Sequence, residues 1–311
     1  MQKNDYPSPV FLAHVNDLLD APPAELSRGV YQTSKLAGLG AAADRAKAYD
    51  SIEPKLYPIF SKLTGGFLPG GFTVFCGATG TGKTTFLANL ACDFAANKIP
   101  YFVASVEIGQ GNFAAKMISI FTNSNVPDNF ASLEEQEAFE AQVIKHLGFR
   151  DAPFSIRDSR VNHRHLLADI FMAHKEHGIK IALLDNLHYM MEVVDEQKQI
   201  AEMDRVIHDL VVFAKRTGVH LLMVLHPRKT QSGRVETEFD IKGSSTAVQE
   251  AGLVLLWNRL EKPEHTPIGE NSNWCRELKI AKIRYRGRSA GKRIIFSMKD
   301  ISEMLIEHGE V

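Results

Sequence analysis

The sequence predicts an α/β fold, a mostly parallel twisted sheet flanked by helices and preceded by a helical arm. Three observations predict it. A phosphate-binding loop, Gly77-Ala78-Thr79-Gly80-Thr81-Gly82-Lys83-Thr84-Thr85, matches G-x-x-x-x-G-K-[ST] at every fixed position. From that loop onward, short apolar runs rich in β-formers alternate with segments of helical apolar spacing, the order that builds a parallel sheet covered by helices. Upstream the alternation is missing, and two helix-prone stretches stand in its place.

Those two stretches are Val10 to Leu19 and the Ala-rich Val30 to Tyr49, separated by Ala21-Pro22-Pro23. Neither can bury an apolar face alone. Residues 1–55 therefore read as a helical arm, either a cap on its own domain or a linker that docks on a neighbouring subunit, and residues 56–311 as one ATPase domain. A glycine-rich turn, Leu63 to Gly71, leads into the first strand. The expected strands are Phe72 to Cys76, Tyr101 to Val106, Phe154 to Arg157, Ile181 to Asp185, His220 to Leu225 and Leu253 to Trp257, with two late ones at Leu278 to Tyr285 and Lys292 to Phe296. The expected helices are Lys83 to Asn97, Asn112 to Phe121, Leu133 to Leu147, His163 to His177 and Gln197 to Thr217.

The loop has the setting its chemistry needs. Glycines let backbone N–H groups turn onto a phosphate without a Cβ in the way, and the helix that follows aims its positive end at the same anion. Gly77 through Thr85 thus form the nucleotide cradle. Lys83 reaches the β- and γ-phosphates of ATP, and Thr84 is placed to hold Mg²⁺. Ile181-Ala182-Leu183-Leu184-Asp185 is an apolar strand ending in a carboxylate, so Asp185 is the second expected group of the magnesium shell. Glu107 closes another strand and could accept a proton from the attacking water, or orient it; the plainer alternative is a surface residue that opens the next helix. His226, ending the fifth strand before Pro227, would face the γ-phosphate and release a polar loop carrying Arg228, Lys229, Arg234 and Lys242. That loop is either a set of single-stranded nucleic-acid contacts or a solvated loop. Lys282, Arg284 and Arg286 share one face of a strand, which could carry an arginine finger into an adjacent subunit or simply protect a charged edge.

Composition narrows the classes. With 44% hydrophobic and 23% charged residues over 311 positions, the chain can bury a large core. A formal net charge of −1 leaves any nucleic-acid binding to local basic clusters. The three cysteines lie far apart, which fits reduced thiols and not a structural zinc site. With no membrane-length apolar run and neither a signal nor a transit segment, the expected location is cytoplasmic, in a bacterial or phage-infected cell.

In order, these motifs resemble the RecA-like P-loop motor domain of hexameric replicative helicases of the DnaB type, closest to the Twinkle and phage branch. The likeness rests on Val103-Ala104-Ser105-Val106-Glu107-Ile108, on Asp185-Asn186-Leu187-His188-Tyr189-Met190-Met191, on His226-Pro227-Arg228-Lys229, on Gly243-Ser244-Ser245-Thr246-Ala247-Val248-Gln249-Glu250-Ala251 and on Lys282-x-Arg284. It implies an ATP- and Mg²⁺-dependent ring, hexameric or heptameric, that moves 5′-to-3′ on single-stranded DNA and unwinds replication-fork DNA. Its implied partners include a primase, a polymerase or a helicase loader. By position, Glu107 would activate water, His226 would couple the γ-phosphate to its loop, and Gln249 would sit near the phosphates. Lys282 and Arg284 would act in trans, and Gly243 and Ser244 would line the DNA channel with the loop after His226. The primase-like half of the family does not precede this motor, so primer synthesis is not expected. The alternative reading is a strand-exchange recombinase or another DNA-dependent ATPase filament; a signalling ATPase or kinase of the same fold would ignore DNA.

Overall fold

The computed structural model describes residues 9–20, 51–124, 132, 134, 138, 156–157, 162–186, 196–228, 234–242, 245–261, 263–285 and 287–311. Strands β1 (Phe72–Gly77), β2 (Tyr101–Ser105), β3 (Ile156–Arg157), β4 (Ile181–Asp185), β5 (His220–Leu225), β6 (Leu253–Arg259), β7 (Cys275–Ile283), β8 (Arg293–Met298) and β9 (Leu305–Glu310) form one sheet in the order β3-β2-β4-β5-β1-β6-β7-β8-β9. From β3 to β6 the neighbours run parallel, and from β6 to β9 antiparallel.

The first strands are continuous apolar runs because both of their faces are covered. Alternate residues supply two cores. Phe75, Val103 and Leu183 point to one side, where Phe86, Leu90 and Phe94 of the helix Lys83–Ala96 and Phe113 and Met117 of the helix Gln110–Thr122 lie. Val74, Cys76, Ala104 and Leu184 point to the other, against Leu166 and Ile170 of the helix His163–His177 and Val206, Leu210 and Phe213 of the helix Glu196–Thr217. Phe86 is the hub of the first core. It packs on Tyr57, Phe75, Trp257 and Phe296 with ring centroids 4.9–6.0 Å apart, and burying a ring of this kind stabilises the fold by roughly 2–3 kcal/mol.

The first late strand begins earlier than the sequence indicates, at Cys275, the second runs from Arg293 to Met298, and a ninth strand, Leu305–Glu310, closes the antiparallel edge. Two short helices, Pro58–Thr64 and Ser245–Glu250, are also additions. The expected helices over 30–49 and most of 133–147 lie outside the described residues. Ile52 already pairs with Phe67 across an isolated bridge, and the buried Asp93 carboxylate accepts the N–H groups of Lys55 and Leu56. The body of the domain thus includes residues just before 56.

The arm helix Pro9–Asp20 lies on its own domain, across the helices His163–His177 and Glu196–Thr217. Val15 is fully buried, Phe11 meets Phe171 edge-on at 6.2 Å, and Arg164 donates to Asn16 and to both carboxylate oxygens of Asp20. Within one chain the cap is the arrangement seen.

Candidate nucleotide site at the carboxyl end of the sheet

Strand β1 ends at Gly77, and the helix starts at Lys83, so the six-bond turn between them sits at the carboxyl end of the parallel strands. Gly77 cannot carry a side chain: a Cβ there would meet the Trp257 carbonyl oxygen at 2.5 Å. Gly82 caps the helix at φ 94°, a conformation L-residues avoid. The loop is held from the antiparallel side. Trp257 Nε1 donates to the Thr81 carbonyl at 2.9 Å, and the buried Arg276 donates its Nε to the same oxygen at 2.8 Å.

Lys83 is buried and donates to the Ala78 carbonyl at 3.0 Å, folded over the loop it belongs to. Burial lowers its proton affinity, while Asp185 and Glu107 act to raise it. Thr84 Oγ1 donates to Asp185 Oδ2 at 2.6 Å. Asp185 is fully buried; desolvation lifts its pKa to about 6, with Glu107 adding in the same sense and Thr84 and Lys83 opposing. Its Oδ1 has no hydrogen-bond partner among the described residues. A buried, half-unpaired carboxylate touching the loop threonine is the donor set a phosphate-bound magnesium ion takes. The residues therefore fit Mg²⁺ and a nucleoside triphosphate.

Register brings the other expected groups in. Ser105 of β2 pairs with Asp185 of β4, so Glu107, two residues on, stands beside Asp185; β5 flanks β4 on the other side and delivers His226. Between them sits Asn186, which the sequence reading did not single out as a site residue. Its Nδ2 donates to Glu107 Oε2 at 2.9 Å and lies 2.9 Å from His226 Nε2, whereas Glu107 and His226 stand 3.8 Å apart. Burial, and then the charge of Lys83, hold His226 below the usual histidine range.

The profile of the AAA domain family matches residues 54–232, more than half the chain. The chain belongs to the AAA domain family. Solved structures share its fold. The ATPase domain of G40P superposes with a TM-score of 0.72 at 16% identity, covering 90% of this chain and 100% of that one. A DnaB-like replicative helicase, solved with attention to its interactions with primase, gives 0.70 at 15% identity over 96% of this chain and 74% of the other. A KaiC-like protein of Pyrococcus horikoshii gives 0.56 at 19% identity over 84% of this chain and 100% of the other. The expected RecA-like P-loop fold is the observed one.

In this AAA domain the described segments 226–228 and 240–242 pair with one another. Lys242 donates its N–H to the His226 carbonyl at 2.9 Å, Arg228 donates its N–H to the Asp240 carbonyl at 2.6 Å, and Pro227 bridges Ile241. The side chains of Arg228 and Lys242 are exposed. Lys229, Gly243 and Ser244 lie outside the described residues. Arg234 departs from expectation. Its guanidinium is engaged by Glu236, Glu277 and Glu261 and by the Arg259 carbonyl, with only 11% of the side chain exposed. Three carboxylates neutralise it, which takes it out of the set of free phosphate contacts.

Gln249 also departs from expectation. The helix Ser245–Glu250 carries the chain down to the amino end of the sheet, where Leu253 pairs with Thr73, four residues from the Gly77–Trp257 pair beside the loop. That separation is roughly 13 Å. Lys282 and Arg284 stand at the same amino end, with Lys282 Nζ 2.5 Å from the Val248 carbonyl and 3.0 Å from that of Gln249, which also accepts from Arg284. None of the three reaches the phosphate loop of its own chain.

Proposed function

We propose that this AAA domain is the motor of a ring-shaped, DnaB-type DNA helicase that hydrolyses ATP between subunits to move along single-stranded DNA and open duplex DNA. The observation that carries it is the division of one site between two ends of one sheet. The phosphate loop, Asp185 and Glu107 converge at the carboxyl end, while the half-buried Lys282 and the exposed Arg284 stand at the amino end. Head-to-tail stacking of identical copies would bring the second set onto the first, and such a heterologous interface closes into a ring when its rotation allows.

In this reading the loop amides and Lys83 bind the phosphates, and Thr84 with Asp185 holds Mg²⁺, which when bound neutralises charge developing on the phosphates. Glu107 takes the proton of the attacking water. Arg284 and Lys282 of the next subunit stabilise the charge that builds on the transferred group. Arg228 and Lys242, with Lys229, Gly243 and Ser244, supply contacts to the DNA backbone, so affinity falls steeply with added salt. The test is ATP hydrolysis by wild type and Lys83→Ala with and without oligo-dT, with particle mass followed by light scattering. The proposal expects DNA-stimulated turnover, lost in Lys83→Ala, from a particle of fixed subunit number. A mass that grows with DNA length would instead establish a filament, and turnover indifferent to DNA would remove the motor reading.

A further inference from the structure

The gap between Glu107 and His226 is 3.8 Å, too long for a hydrogen bond, and among the described residues the contact that spans it is a single buried amide. Asn186 is 1% exposed. A carboxamide nitrogen carries two hydrogens, and here they point at two acceptors, Glu107 Oε2 and His226 Nε2, each at 2.9 Å. The assignment of the amide follows from its partners: Glu107 can only be donated to, so the nitrogen and not the oxygen faces the pair. With Oε2 taken, the other oxygen of Glu107 is left for the water. Being out of solvent, the amide cannot exchange either bond for water without loss.

The histidine end of this bridge belongs to the loop. The backbone carbonyl of His226 is held by the N–H of Lys242, and two residues later Arg228 is held by the carbonyl of Asp240. Arg228 and Lys242 are also the exposed cations proposed above to meet DNA. The hydrogen bonds thus run from these paired segments through the imidazole and the amide to the carboxylate.

We propose that Asn186 is a positioning residue that makes the orientation of Glu107 depend on the loop between His226 and Lys242, so that hydrolysis responds to what the loop holds. The proposal rests on the helicase reading and deepens it by naming the connection between DNA contact and water activation. Replacing Asn186 removes the connection and leaves the phosphate cradle, Glu107 and the loop in place.

The experiment measures ATP turnover with and without oligo-dT for wild type, Asn186→Ser and Asn186→Ala, together with KM for ATP and oligo-dT affinity. The expected result is a stimulation ratio that falls to below about twofold in both variants, while KM and DNA affinity stay within about threefold of wild type. Equal loss of the basal and stimulated rates, or an unchanged ratio, overturns the proposal, since a merely structural asparagine would lower both rates together. If wild type itself shows no stimulation, the helicase reading fails first. Should the Asn186 variants not fold, His226→Gln and His226→Leu decide the matter with Asn186 intact. A glutamine oxygen can accept the amide hydrogen and a leucine cannot, so the ratio persists in His226→Gln and is lost in His226→Leu. Equal ratios in those two overturn the proposal.

Discussion

At the carboxyl end of the parallel strands, polar side chains from four segments of the chain converge on one loop and are largely out of water; at the amino end, the half-buried Lys282 and the exposed Arg284 meet, among the described residues, main-chain carbonyls. Lys83 is 6% exposed and Asp185 not at all; Lys83 donates to the Ala78 carbonyl of its own loop, and Asp185 is matched by Thr84 from the following helix. Among the described residues, Lys282 and Arg284 are matched by the carbonyls that end the helix Ser245–Glu250. Cations are favoured at such a terminus whatever else they do. In the proposed reading, the cradle of one chain takes its completing counter-charge from Lys282 and Arg284 of the next copy, which stand at the opposite end of the same sheet.

The largest effect expected at the finished end is that of Glu107→Gln, which keeps shape and polarity but cannot take a proton. Its kcat for ATP should fall about 10²–10⁴-fold, with nucleotide affinity retained, read by steady-state turnover and a fluorescent nucleotide. A fall of less than about threefold would return Glu107 to the role of a surface residue.

Arg284→Ala sharpens the comparison directly. If Arg284 only caps a helix, the substitution costs about 0.3–1 kcal/mol of stability and leaves turnover alone. If it completes a neighbour's site, kcat falls by about 10²–10³-fold, as for loss of one group that stabilises transition-state charge. Mixing Arg284→Ala with Lys83→Ala subunits then restores turnover, because some interfaces join an intact loop to an intact arginine. Unchanged turnover in Arg284→Ala alone would place Arg284 in the cap, and inactivity of every mixture at all ratios would mean that it does not act across the interface.

A smaller effect tests how the cradle is held. Arg276→Met removes the buried donor on the Thr81 carbonyl while Trp257 keeps its own hydrogen bond to that oxygen. A hydrogen bond from a charged group contributes about 1.5–3 kcal/mol, so nucleotide affinity should weaken by about 10–100-fold, and by less in Trp257→Phe. Affinity unchanged in Arg276→Met would mean that the loop is rigid without it.

What could be read from the sequence divides along the same line. The strands buried on both faces, such as Ile181–Asp185 and His220–Leu225, announce themselves as apolar runs, and the phosphate loop fixes where their ends must meet. Glu107, Asp185 and His226 were therefore legible as strand-end residues. Asn186 was not, since an asparagine after an aspartate has no pattern until two other strands are placed beside it. Strand Leu305–Glu310 was missed because, half-exposed at the sheet edge, it alternates weakly, and Pro58–Thr64 because seven residues are too few for periodicity. Gln249 misled for a related reason: spacing along the chain does not reveal that a short helix spends its length travelling from one end of the sheet to the other. Arg234 reads as a free cation until Glu277, forty residues on, folds beneath it.

The smallest effect concerns His220, which stands at the amino end as the neutral counterpart of the charged residues opposite. It is 3% exposed, its Nδ1 donates to the Leu68 carbonyl at 2.8 Å, and its Nε2 accepts from Thr73 Oγ1 at 2.9 Å. Burial pushes its pKa down to about 4 from an ordinary 6.5. The unfolded chain therefore binds the proton first as acid is added. The stability due to the neutral ring is complete above pH 6.5 and is lost as pH falls toward 4, by about 1.4 kcal/mol per unit at most. Asp185, raised to about 6, acts in the opposite sense, because the folded state binds its proton first. The two ends thus titrate against each other, and the informative quantity is a difference between variants. Denaturant midpoints of wild type and His220→Gln at pH 7.0 and 5.5 keep Asp185 common to both, and the wild type should lose about 1 kcal/mol more than the variant over that interval. An equal loss would mean that His220 is charged or solvated in the folded protein, and that the amino end is not the dry, neutral surface on which Lys282 and Arg284 stand out.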